Sequence, residues 1–135
     1  MRKLGSPHLH LKSVGSTNER ASELAAAGAP HGTLVSADHQ SSGRGRQGRD
    51  WIAPAGSSLL ISLLLRDPPE LLPLTAAVAV AEVCGPAARI KWPNDILLPN
   101  AGEAPAKVAG ILCETRPQEN WAVVGIGRRL RPAGP

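Results

Sequence analysis

Tyrosine and phenylalanine are absent from the 135 residues, and three tryptophans supply the little aromatic content there is. A core must therefore be built from Leu, Ile, Val and Ala. A base-stacking RNA-binding surface is disfavoured for the same reason, because such surfaces use aromatic side chains. Long apolar runs are also absent. The most apolar window, residues 71–84, is too short to span a bilayer and contains Glu82, so we expect no membrane partner.

Metal-binding and secretory signals are equally scarce. The two cysteines and four histidines have no metal-ligand spacing, and the amino-terminal residues lack the apolar stretch of a secretory signal. Cys113 lies in an apolar run and is interpreted as a small core residue. These features predict a cytoplasmic protein.

Basic residues are in excess, with fifteen Lys and Arg against eleven Asp and Glu, a net charge of +4 and a pI near 9.7. Eleven of the fifteen are arginine, which is suited to two-pronged contacts with carboxylate or phosphate. This composition favours anionic ligands or acidic protein partners, and alone it does not imply nucleic acid.

The pattern of apolar residues predicts a strand-rich α+β chain forming one continuous domain. Ser16 and Glu19 have the spacing of a capping box at the start of an Ala-rich helix. We predict a central strand at Leu59–Leu65 that is covered on both faces, and a helix at Leu71–Cys84 that is buried. The remaining predicted strands are His8–Val14, Thr33–His39, Ala88–Trp92, Ile96–Leu98, Lys107–Glu114 and Trp121–Gly127, with a surface loop at Asn100–Ala106 and frayed residues after Gly127.

A glycine- and arginine-rich segment spans residues 43–51, with the sequence GRGRQGRDW. Glycines at alternate positions allow successive backbone N–H groups to converge on an anion, and the arginines add charge-assisted hydrogen bonds. A solvated basic turn or an RG-type nucleic-acid segment fits the composition equally well.

Three further segments could contribute to a site. Ser16-Thr17-Asn18 caps a helix and could also hold the polar head of a ligand. Lys91-Trp92-Pro93-Asn94-Asp95 projects an amide and a carboxylate that could orient a phosphate-bound Mg²⁺, although an ordinary turn explains it too. Lys107 could deliver a cation to a buried anion or simply reach solvent, and Gly110 and Gly125 permit close backbone approach.

Taken together in this order, the segments resemble the catalytic domain of biotin–protein ligases, that is, biotin–[acetyl-CoA-carboxylase] ligases. The resemblance rests on STN at 16–18, Gln40, GRGRxGRxW at 43–51, KWPND at 91–95, KxAGIL at 107–112 and GIG at 125–127. It implies a mixed, mostly antiparallel sheet with packed helices, of the class II aminoacyl-tRNA synthetase and biotin synthetase type.

The resemblance also implies a two-step reaction. Biotin and ATP, with Mg²⁺, would form biotinyl-5′-AMP and pyrophosphate, and the acyl group would pass to a lysine of the biotin carboxyl carrier domain of acetyl-CoA carboxylase. The implied catalytic residues are Arg46, Lys107 and Asp95, the last also a weak Mg²⁺ ligand; Lys91, Asn94 and Asp95 would serve ATP and Mg²⁺. The residues implied for biotin and its adenylate are Ser16, Thr17, Asn18, Gln40, Gly43, Arg44, Gly45, Arg46, Trp51, Lys107, Gly110 and Gly125.

The chain also departs from that family. Arg128 and Arg129 stand where the family has Ile or Leu and then Asn, and the family continues into a small C-terminal β-barrel. We expect residues 1–135 to be a single incomplete catalytic domain, without that barrel and without an N-terminal DNA-binding module, and hence no DNA partner. An exposed sheet edge would favour a homodimer. A non-catalytic remnant that binds biotin or biotinyl-AMP, and a lipoate–protein ligase, are the alternatives.

Overall fold

A computed structural model describes residues 3–45, 48 and 55–130. The elements are β1 (His8–Val14), α1 (Thr17–Ala26), β2 (Leu34–Gln40), β3 (Ser58–Arg66), α2 (Leu72–Cys84), β4 (Arg89–Lys91), β5 (Asp95–Asn100), β6 (Glu103–Arg116), a 3₁₀ turn (Pro117–Glu119) and β7 (Trp121–Arg129). Within the described ranges, no helix is long and apolar enough to cross a membrane.

The strands form one seven-stranded sheet in the order β1-β2-β3-β7-β6-β5-β4. Among the strands in the described residues, only β1 and β2 pair in parallel, joined by α1, and the other neighbouring pairs are antiparallel. This agrees with the predicted mixed, mostly antiparallel sheet. Strand β3 is central, as its apolar sequence predicted.

The two helices cover opposite faces of the sheet, as strand β7 shows. Trp121 and Val123 pack in a cluster with α1, whereas Ala122 and Val124 pack in a cluster with α2. Successive side chains of a strand point to opposite faces, so the two clusters lie on either side of one sheet. The core is therefore two thin apolar layers, and the cavity described below lies beside the first turn of α1.

Cys113 belongs to the α2 side, where it packs against the apolar cluster. Burial disfavours the thiolate and raises the pKa of Cys113 to about 11. This supports its interpretation as a small core residue and not a reactive one.

Two burial predictions were wrong. Helix α2 is not buried: Leu71, just before it, is 68% exposed and Val78 is 43% exposed. It packs with one side on β4, β5 and β6, and Val83 near its carboxyl end is 71% exposed. Strand β3 is not fully covered on both faces either: Leu65 packs against the α2 cluster, but Leu59 is 40% exposed.

Two predictions about the carboxyl-terminal half were also wrong. Asn100–Ala106 is not a loop but the end of a β5–β6 hairpin, in which Asn100 pairs with Glu103 across a two-residue turn. Gly102 has a φ of +73°, which glycine adopts without steric cost, and this permits the tight turn. Arg128 and Arg129 do not fray, because their backbones pair with Leu59 and Ser58 of β3.

Candidate active site

A cavity of about 400 Å³ lies beside the amino end of α1. Its volume falls within the usual range for small-molecule sites. It brings together twelve of the sequence-predicted site residues: Ser16, Thr17, Asn18, Gln40, Arg44, Gly45, Lys91, Asn94, Asp95, Lys107, Gly110 and Gly125. Gly43 is buried but does not line the cavity, and Arg46 and Trp51 lie outside the described residues.

The first turn of α1 forms one wall of the cavity. Ser16 is the N-cap, and its hydroxyl accepts a hydrogen bond from the Glu19 backbone N–H at 3.3 Å, as the capping-box spacing predicted. The backbone N–H and hydroxyl of Thr17 donate to Gln40 Oε1 at 2.7 and 3.0 Å. These bonds fix the helix start against the end of β2, so the polar side chains of Ser16, Thr17 and Gln40 meet in one place.

Asn18 extends this wall across the sheet. Its Nδ2 donates to the Leu112 carbonyl at 3.2 Å and to Glu114 Oε1 at 2.9 Å, both on β6. The Ser62 hydroxyl of β3 donates to Asn18 Oδ1 at 2.5 Å and also lies 2.8 Å from Thr17 Oγ1. The Asn18 amide is therefore bonded to strands on both sides of β7.

Gly125 of β7 makes this position available to Asn18. Gly125 pairs with Ser62 on one side and with Leu112 on the other, and it lies directly under the Asn18 amide. A Cβ at this position would overlap the Asn18 amide group. The space above Gly125 is thus occupied by the Asn18 side chain, and a ligand in the cavity would lie beyond that side chain.

The opposite wall carries an ion pair. Lys107 Nζ lies 3.0 Å from Asp95 Oδ1, and both side chains line the cavity. The preceding residue, Asn94, is anchored on β6: its Nδ2 donates to the Ile111 carbonyl at 2.8 Å, and the Ile111 N–H donates to the Asn94 carbonyl at 3.0 Å. These contacts fix the turn that presents Asp95 beside Lys107.

Arg44 closes the cavity on a third side. Its Nη2 donates to Glu114 Oε1 at 2.8 Å, which is the oxygen that Asn18 also contacts. Gly45, the next residue, lines the cavity as well. The first arginine of the glycine-rich segment is therefore attached to the same acid as the helix start.

The lining has two chemically different ends. Uncharged hydrogen-bonding groups gather near β2 and β3, whereas Lys107 and Asp95 stand beside β5 and β6. Strands β3 and β5 are three strand spacings apart, or about 14 Å. Among the described lining residues, Arg44, Lys91 and Lys107 outnumber the single carboxylate, Asp95. The cavity therefore suits an elongated ligand with a neutral polar head and an anionic end.

A resident metal ion has little support from the protein alone. Within the described ranges, no three His, Cys, Asp or Glu side chains are grouped so as to hold a metal. Mg²⁺ is commonly held by one or two carboxylates together with substrate phosphates and water. Asp95 fits that donor set as a single carboxylate for an ion that arrives with a nucleotide.

Two residues of this network were not identified from the sequence as part of the site. In the sequence, Ser62 lies within an apolar predicted strand and Glu114 ends another predicted strand, and neither belongs to a motif of the resemblance. Ser62 is the one polar residue in residues 59–65, and a fully buried hydroxyl there requires a hydrogen-bond partner. That isolated hydroxyl was the available signal. The apolar floor, including Leu60 and Ile61, was not identified either.

Residues 11–130 match the model of the biotin/lipoate A/B protein ligase family. The chain belongs to this family. It is 42% identical over 137 residues to the biotin–[acetyl-CoA-carboxylase] ligase of Paracoccus denitrificans, covering 91% of this chain and 54% of that protein. It is 42% identical over 126 residues to the bifunctional ligase/repressor BirA of Bacillus subtilis, covering 84% of this chain and 37% of that protein.

Solved structures of biotin protein ligases have a similar fold. The biotin protein ligase of Aquifex aeolicus, solved with biotin and ATP, superposes with a TM-score of 0.74 at 31% identity and covers 96% of this chain and 55% of that one. The chain thus spans between 37% and 55% of the length of these three relatives. The α+β catalytic fold expected from the resemblance is confirmed.

Proposed function

We propose that this chain binds biotin and ATP, joins them as biotinyl-5′-AMP, and transfers the biotinyl group to a lysine of a carrier domain. In the first step, a biotin carboxylate oxygen attacks the α-phosphorus and pyrophosphate leaves. In the second, the lysine ε-amine attacks the acyl carbon and AMP leaves. A cytoplasmic location and the biotin carboxyl carrier domain of acetyl-CoA carboxylase as acceptor belong to the same proposal.

One observation carries the proposal: a single cavity is lined from five separated motifs, STN, the GRG segment, KWPND, KxAGIL and GIG. A carboxylate and a triphosphate must be brought together before they react, and both are anionic. Cations arranged where this charge accumulates are the principal requirement, and no protein nucleophile is needed. The names of the relatives favour biotin over lipoate as the acid.

At the neutral end, Ser16, Thr17 and Gln40 would contact the polar head of biotin. Thr17 and Gln40 are already hydrogen-bonded to each other, so their polar groups would be oriented before a ligand binds. Gly110 would leave room above β6. Asn18, seated over Gly125, would complete the wall of the biotin tunnel by holding its amide in one orientation.

At the anionic end, Lys107 would contact the biotin carboxylate and the α-phosphate. Its ion pair with Asp95 keeps the ammonium group at the cavity wall in the meantime. Lys91, Asn94 and Asp95 would serve the ATP phosphates. Mg²⁺ bound with ATP would neutralise phosphate charge, and Asp95 is the residue that would hold it.

The proposal is tested by measuring pyrophosphate release and carrier biotinylation separately, with biotin and MgATP. We expect biotin-dependent pyrophosphate from the wild-type chain. Lys107→Gln should lower its rate by about 10²–10³-fold, as expected when one cation is removed from developing charge. Lys12→Gln is the matched control, since Lys12 is exposed on β1 and does not line the cavity. It should stay within about twofold, as surface substitutions usually do.

The outcomes separate the alternatives. Biotin binding without pyrophosphate would identify a non-catalytic biotin-binding protein. Pyrophosphate release without labelled carrier would restrict the chain to the first step. Absence of both biotin binding and pyrophosphate would refute the proposal.

A further inference from the structure

Glu114 connects two walls of the cavity through one oxygen atom. Its Oε1 accepts from Asn18 Nδ2 at 2.9 Å and from Arg44 Nη2 at 2.8 Å. Its side chain is 22% exposed, and Glu114 does not itself line the cavity. Asn18 and Arg44, in contrast, both line it. The carboxylate therefore lies behind the wall and contacts a ligand only through its two neighbours.

We propose that Glu114 is a positioning residue that holds Arg44 in place for the anionic ligand. This inference rests on the proposed function, in which Arg44 encloses biotin and its adenylate. An arginine has five N–H donors, and the contact with Glu114 uses one of them. The guanidinium can therefore hold ligand oxygens while it stays attached to Glu114.

The physical basis is the ordering of a long side chain before the ligand arrives. A free arginine samples many rotamers, and binding must then immobilise one of them. Attachment to Glu114 reduces this cost, because the acid is itself fixed by Asn18, which is buried at the start of α1. Loss of one such constraint should weaken binding roughly three- to tenfold.

The substitution to make is Glu114→Gln, which keeps the shape and removes the charge. Glu103→Gln is its matched control, because Glu103 lies on the same strand and accepts a hydrogen bond from Asn100 at the far end of the hairpin. Biotin dissociation constants come from calorimetric titration. The steady-state rates give KM and kcat, and Glu114→Gln should raise the KM for biotin with little change in kcat.

A double-mutant cycle with Arg44→Met separates positioning from general damage. If Glu114 acts through Arg44, Glu114→Gln weakens biotin binding in the wild-type chain and has no further effect in the Arg44→Met chain. A midpoint for urea unfolding is recorded for all four proteins. If Glu114→Gln does not fold, Glu114→Asp replaces it, since that variant keeps the charge but shortens the reach to Arg44.

Suppose that the wild-type chain binds biotin. The inference is then overturned if Glu114→Gln binds biotin as tightly as wild type, or if it weakens biotin binding equally with and without Arg44→Met. Either result would leave the proposed function standing. Failure of the wild-type chain to bind biotin would instead overturn the proposed function. In that case the urea midpoints decide the role of Glu114: non-additive shifts of Glu114→Gln and Arg44→Met support the link between them, and additive shifts overturn it.

Discussion

Replacing Gly125 with alanine should disrupt the hydrogen-bond network at the start of α1. An added Cβ would lie within 3 Å of three atoms of the buried Asn18 side chain. The amide would have to move, and it would lose its bonds to Ser62, to Glu114 and to the Leu112 carbonyl. Overpacking costs about 1–3 kcal/mol. A buried polar group left without a partner costs a similar amount, about 1–3 kcal/mol.

We therefore expect Gly125→Ala to lower the free energy of unfolding by about 3 kcal/mol. For a chain of this length, that corresponds to a fall in Tm on the order of 10 °C. Urea unfolding followed by tryptophan fluorescence measures the former, and calorimetry the latter. Biotin binding should weaken as well, because the displaced amide belongs to the cavity wall.

A control variant and a double variant test whether contact with Asn18 causes the loss of stability. Gly15→Ala is the matched control, since Gly15 precedes the same helix and an added Cβ there meets no atom within 4 Å. It should change stability by less than about 0.5 kcal/mol. Asn18→Ala removes the group with which the new methyl collides, so the double variant should be no less stable than Asn18→Ala alone. Additive losses in the double variant, or a harmless Gly125→Ala, would refute the reasoning.

Two further predictions concern stability away from the cavity. The Arg66 guanidinium donates through both Nε and Nη2 to the Ala29 carbonyl and through Nη2 also to the Ala25 carbonyl, at and just beyond the end of α1. Arg66→Met should therefore lower the unfolding free energy by about 1.5–3 kcal/mol in urea titrations. Arg66→Lys should recover less than half of that loss, because one ammonium lacks the planar fork; full recovery would contradict the bidentate explanation. Burial raises the pKa of Cys113 from 9.0 to about 11, so the unfolded chain releases that proton first and stability should decline between pH 9 and 11. The decline should be smaller in Cys113→Ala, and equal declines in both proteins would exclude this thiol as the cause.

Local signals predicted local structure well. The N-cap at Ser16 follows from a hydroxyl and an acid three residues apart, and both act within one helical turn. The same holds for β1, whose limits were predicted at His8 and Val14. Twelve of the residues implied by the resemblance line one cavity, and their roles toward a ligand stay predictions.

Burial could not be predicted in the same way, because it depends on what packs against an element. The sequence of α2 is apolar on nearly all sides, yet the sheet contacts only one of them, and Leu71 and Val78 remain exposed. The β5–β6 hairpin was missed because Gly, Glu and Pro at residues 102–105 are typical of a loop. The pairing of Asn100 with Glu103 is local and closes a two-residue turn, so Gly102 within that turn was the available signal.

The roles of Ser62 and Glu114 could not be predicted either, because they also depend on tertiary contacts. Each polar group is interpretable only through a partner distant in sequence: Ser62 through Asn18, and Glu114 through Asn18 and Arg44. The sequence therefore predicted residues that line the cavity more readily than the residues that hold them in place.

The antiparallel pairing of β3 with β7 joins two halves of the sheet that are each local in sequence. Residues 67–120 separate these strands, so nine residue pairs must form across a long closed loop. Closing such a loop has a large entropic cost, and we expect this seam to form late in folding. Leu60 and Ser62 stand on one side of the seam, and Gly125 and Gly127 on the other. The cavity accordingly comes into existence only when the two halves join, and any molecule that occupies it draws the equilibrium toward the completed sheet.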